Sequence, residues 1–112
     1  MVIQLKQSDI SSEVSPQEIK ILFVEDNDGD YVLTREYLKE VTQVGATSIG
    51  DYSLTRVTRL SEAIEKVAER NYSLILLDLS LPDAERFEAF HRLQLCAPST
   101  PIILLTGLND FE

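Results

Sequence analysis

At 112 residues, with 44% hydrophobic and 26% charged side chains, the chain has the size and balance of one globular domain with a sizeable core. The lone cysteine, Cys96, excludes an internal disulfide and a cysteine-rich metal site, and no apolar run approaches the roughly 20 residues that span a bilayer. A formal net charge of -9 argues against nucleic acid as a direct partner, because phosphate backbones repel it.

Residues 1–18 are polar and mixed, and we expect a flexible N-terminal arm, although Val2-Ile3-Gln4-Leu5 has the pattern to pair at a sheet edge. No basic start followed by an apolar core marks a secretory signal, so the expected location is cytoplasmic. The organised part is expected over residues 19–112. Lys20-Ile21-Leu22-Phe23-Val24 reads as a first buried strand, and Glu25-Asp26 stands at its carboxyl end. Asp28 or Asp30 is expected to cap the helix that follows. In that helix Leu33, Tyr37, Val41 and Val44 recur at helical spacing up to Gly45. Tyr52-Ser53-Leu54-Thr55-Arg56-Val57 alternates like an edge strand. Ser61 is expected to cap a second helix with Ala63, Ile64, Val67 and Ala68 facing inward.

Tyr72 to Asp83 is the stretch around which the rest is organised. Leu74-Ile75-Leu76-Leu77 is an unbroken aliphatic run, as in a parallel strand buried on both faces, and it delivers Asp78 to the strand end. Phe87, Phe90, Leu93 and Ala97 mark a third helix closed by Pro98, with His91 on its polar side and Cys96 as a small packer at its end. Pro101 to Leu105 is a fourth strand, followed by Thr106 and Gly107. This alternation predicts an α/β three-layer sandwich with a parallel sheet and right-handed crossovers.

Parallel strands bring Glu25-Asp26, Asp78 and Thr106 to one end of the sheet, where open α/β sheets bind their ligands. Carboxylates about 5 Å apart repel one another unless a cation shares the site. Hard oxygen donors, few in number, suit Mg²⁺. A carboxylate supported in this way, with a hydroxyl beside it, can accept a phosphoryl group as an acyl phosphate. Each piece alone has an ordinary explanation: an Asp after a strand is commonly a loop cap, and an acidic pair is usually a solvated turn. Their coincidence at one end of successive strands is much less ordinary.

Three motifs carry a resemblance. Ile21-Leu22-Phe23-Val24-Glu25-Asp26-Asn27, Leu74 to Pro82, and Ile102-Ile103-Leu104-Leu105-Thr106-Gly107 resemble, in this order, the signature of the response regulator receiver domain of two-component signalling, the CheY-like family. The resemblance implies a flavodoxin-like fold with strand order 2-1-3-4. It implies Asp78 as phosphoacceptor and Thr106 as the switch hydroxyl. Mg²⁺ would be held by Glu25, Asp26, Asp78 and the backbone carbonyl of Ser80, and Gly107 would leave the site open. The implied partner is a histidine kinase or a histidine phosphotransfer protein. The domain would assist its own phosphorylation and dephosphorylation without being an enzyme for another substrate.

Two departures bear on this expectation. The glycine usual eight positions after the phosphoacceptor is Arg86 here, preceded by Glu85. The sequence stops at Glu112, ahead of the fourth helix, the fifth strand with its phosphoryl-pairing lysine, and the fifth helix. We therefore expect a C-terminally truncated receiver that self-associates through an exposed sheet edge. Three other readings compete with this one. One is a phosphorylation-incompetent receiver used only for docking or dimerisation. Another, an Mg²⁺-dependent aspartyl-phosphate phosphatase, lacks its second Asp at Ser80. A calcium loop at Asp26 to Asp30 lacks its glycine at Tyr31 and its Glu at Tyr37.

Overall fold

The computed structural model describes residues 18–43, 52–85 and 87–105. Their order is β1 (Ile19–Val24), α1 (Asp28–Gln43), β2 (Tyr52–Val57), α2 (Leu60–Glu69), β3 (Leu74–Asp78), α3 (Glu88–Cys96) and β4 (Ile102–Leu105). The four strands form one sheet in the order β2-β1-β3-β4, with every neighbouring pair parallel. This is the CheY-like, flavodoxin-type arrangement expected from the sequence.

Strand periodicity divides the core in two. Leu22 and Val24 of β1 and Ile75 and Leu77 of β3 face one side, where they pack with Leu60 and Ala63 of α2 and Ala89 and Leu93 of α3. Ile21, Phe23 and Leu76 face the other side, where Tyr31 and Leu38 of α1 pack against them. Both central strands are therefore apolar on both faces, which explains why their sequences run without alternation.

Several local expectations are corrected. Leu33 and Tyr37 do not face inward: they are 57% and 63% exposed. The helix starts at Asp28, and its phase sets Tyr31 on Phe23, with ring centroids 5.5 Å apart, so the inward stripe is displaced from the expected one. Val41 falls among side chains not described here, and Val44 and Gly45 lie outside the described residues. Asn27, not Asp28 or Asp30, caps α1, its Oδ1 accepting the Asp30 N–H at 2.8 Å. The two aspartates occupy the first turn, where their charge suits the helix dipole. Ser61 does not cap α2, which begins at Leu60. Ala68 of α2 is exposed, and so is Phe87, which stands just ahead of α3 rather than within it. Cys96 is exposed rather than packed, and His91 is exposed as expected. The N-terminal arm up to Gln17 and Arg86 lie outside the described residues.

Candidate functional site

The register between β1 and β3 pairs Val24 with Leu77. One step further along both strands come Glu25 and Asp78, which therefore emerge side by side. They are the only charged or polar residues among the described buried set, each 3% exposed. Asp26 follows Glu25 and is exposed. One carboxylate oxygen from each of Glu25, Asp26 and Asp78 lies within 4.8 Å of the other two.

Backbone donors fix these groups. Asp78 Oδ1 accepts the Ser80 N–H at 3.0 Å, and Glu25 Oε2 accepts the Asn27 N–H at 3.2 Å. The Glu25 N–H donates to the Val57 carbonyl at 2.9 Å, and the Leu79 N–H donates to the Leu105 carbonyl at 3.2 Å. Burial, then a hydrogen bond shared with Asp78, pushes the Glu25 carboxyl up to about 8. Burial also raises Asp78, against the pull of the Ser80 N–H and the Glu25 hydrogen bond, and the nearby Asp26 charge adds to the rise. Both shifts run in the direction that favours a proton shared within the pair. Such a site is poised to exchange a proton for a cation.

The donor set fits Mg²⁺. It is all oxygen, small in number, and open to water on the Asp26 side. Of the residues expected from the sequence, Glu25, Asp26 and Asp78 come together, and Ser80 adjoins them through its N–H bond to Asp78. Thr106 and Gly107 lie outside the described residues. A calcium loop at Asp26 to Asp30 is incompatible with Asp28 and Asp30 being helical.

Two residues that tie the site together were not foreseen. Arg56 Nε donates to the Glu25 carbonyl at 3.0 Å, whereas its sequence pattern marks it only as a member of an edge strand. Asp83 accepts the Leu60 N–H at 2.8 Å and the Ser61 N–H at 3.1 Å, capping α2 from the loop that follows Asp78. The signal for Arg56 was a charged residue near the carboxyl end of its strand. Nothing local announced Asp83, because its partners are more than twenty positions away in sequence.

The family model for the response regulator receiver domain matches residues 21–112. The chain belongs to the response regulator receiver domain family. The transcriptional regulatory protein ResD of Bacillus subtilis is 36% identical over 93 residues, covering 83% of this chain and 35% of ResD. The regulatory protein VanRB of Enterococcus faecalis is 32% identical over 94 residues, covering 84% of this chain and 38% of VanRB. This receiver domain thus spans less than two-fifths of the length of either relative. Among solved structures, response regulator TrrA in complex with histidine kinase ThkA is similar, with a TM-score of 0.64 and 26% identity over 84% of this chain and 73% of that one. The MaeR response regulator bound to beryllium trifluoride has a TM-score of 0.64 and 25% identity, over 82% of this chain and 70% of MaeR.

Proposed function

We propose that this receiver domain takes part in a two-component phosphorelay and accepts a phosphoryl group on Asp78. Glu25, Asp26, Asp78 and the Ser80 carbonyl would hold Mg²⁺, which when bound neutralises charge on the transferring group. The observation that carries the reading is the convergence of three carboxylates within 4.8 Å around a buried aspartate at a strand end. An Asp78 carboxylate oxygen forms the new P–O bond as the P–N bond to a donor imidazole breaks, its electron pair leaving with the nitrogen. Asp78 is held for this by the Ser80 N–H on one of its two carboxylate oxygens. Thr106 would bond a phosphoryl oxygen and report the modification.

The proposed donor is a histidine kinase or a histidine phosphotransfer protein, a reading supported by the ThkA–TrrA complex. The proposed unit is residues 19–112, carried in the cytoplasm, with residues 1–18 as an arm. Self-association is part of the proposal. Among the described residues β4 pairs on one side only, and its four aliphatic residues are half-buried. Light scattering should show concentration-dependent growth in mass, and a stable monomer at high concentration would remove this part.

The test of the whole is incubation with Mg²⁺ and acetyl phosphate, followed by intact mass. A gain of one phosphoryl group that is lost in Asp78→Asn supports the assignment. No gain from a folded protein would overturn it in favour of a domain used only for docking.

A further inference from the structure

The segment Glu25-Asp26-Asn27-Asp28 carries two of the three clustered carboxylates, and one guanidinium grips it at both ends. Arg56 Nε donates to the carbonyl of Glu25 at 3.0 Å. Arg56 Nη2 stands 2.8 Å from Asp28 Oδ1, an ion pair by distance, although this nitrogen makes no hydrogen bond. The guanidinium carbon lies 4.6 Å from the centre of the Tyr31 ring, and Tyr31 in turn packs at a tilt of 42° against Phe23 of the core. Only 23% of the Arg56 side chain is exposed. Its own strand is fixed to the same segment by the Glu25 N–H on the Val57 carbonyl. Asp26 is exposed and two residues beyond the strand, and its side chain reaches only Asp78 among the contacts described.

We propose that Arg56 is a positioning residue for the metal-binding acids. It bridges the two ends of the β1–α1 loop with one hydrogen bond to the Glu25 carbonyl and one ion pair to Asp28, and so holds Asp26 within reach of Asp78. The proposal rests on the receiver reading above, but it assigns a role to a residue outside the acid cluster. Charge and geometry predict opposite results here. A cation beside a site for Mg²⁺ repels the ion, so on charge alone Arg56→Gln would tighten binding and Arg56→Lys would change nothing. If the guanidinium positions the loop, both variants weaken binding, because lysine keeps the charge but loses the directed Nε–H bond to the Glu25 carbonyl and the flat contact with Tyr31.

The experiment is a Mg²⁺ titration of the full chain, followed through backbone amide NMR shifts, for the native protein, Arg56→Lys and Arg56→Gln. Amide hydrogen exchange at Asp26 to Asp28 is recorded without metal, and the β2 and β3 amide shifts report that each variant is folded. The expected result is a Kd about tenfold higher in both variants, with faster exchange across the loop before any metal is added. Unchanged affinity in Arg56→Lys, or tighter binding in Arg56→Gln, overturns the inference while leaving the receiver reading intact. If the native protein shows no Mg²⁺ affinity sensitive to Asp26→Asn, the receiver reading fails and this role falls with it.

Discussion

Glu25→Gln should make the metal-free protein more stable while weakening its grip on Mg²⁺. The Glu25 carboxyl titrates near 4.5 when unfolded and is pushed up to about 8 in the fold. Between those values the folded state binds the extra proton, so stability falls as pH rises from about 4.5 to 8. At about pH 7.5 the full shift corresponds to about 4 kcal/mol. Solvent at the Asp26 side of the site screens the interaction, and sharing the proton with Asp78 divides it, which reduces the expected cost to roughly 2 kcal/mol. Glutamine keeps the shape, accepts the Asn27 N–H and donates to Asp78 without needing a proton. The gain should appear in urea unfolding followed by circular dichroism in EDTA, with the thermal midpoint raised on the order of 10 °C at about pH 7.5. The gap should close at about pH 4, where glutamic acid is protonated in both states. A variant no more stable than the native protein at pH 7.5, or a gap that widens in acid, would refute this account of the site.

Three further outcomes follow from other parts of the molecule. Below about pH 8 the entry of Mg²⁺ must displace the Glu25 proton, so apparent affinity should rise with pH, at most about tenfold per unit, in calorimetric titrations. Asp83→Ala removes the cap of α2 and should cost about 1 kcal/mol at neutral pH by urea unfolding. Burial alone would raise the Asp83 carboxyl, but the Leu60 and Ser61 amides outweigh it and bring it below its usual value; its contribution is therefore present at neutral pH and lost as pH falls through that lowered value. Leu93→Ala should cost about 2–5 kcal/mol because Leu93 is fully buried, whereas Leu95→Ser, at a position 82% exposed, should stay within about 0.5 kcal/mol.

The sheet and the acid cluster could be read from the chain because buried parallel strands leave an unbroken aliphatic record. Ile21 to Val24 and Leu74 to Leu77 each do so, and each run leads into an acid of the cluster, while the half-buried Ile102 to Leu105 was legible as a strand by its aliphatic run alone. Helix phase was harder to read. Leu33 and Tyr37 have helical spacing, but spacing alone does not say which face meets the sheet, and Tyr31 won that place through its contact with Phe23. Capping failed for a different reason. Ser61 is the kind of residue that caps a helix locally, but here a carboxylate from a distant loop reached the free amides first. Arg56 and Asp83 share that lesson: what they hold is close only after the strands have been laid side by side.

The chain order of the sheet has a consequence for assembly. β1 is central, yet it is made before either neighbour: Ile21 must wait for Leu54 on one side and for Leu74 on the other. A nascent chain can close the β1–α1–β2 unit as soon as Val57 has emerged, but Asp78 joins Glu25 only after the third strand has docked. The acid cluster is thus assembled only once the third strand is in place. A cation drawn to it would act as a latch on strands already paired rather than as the seed around which they gather.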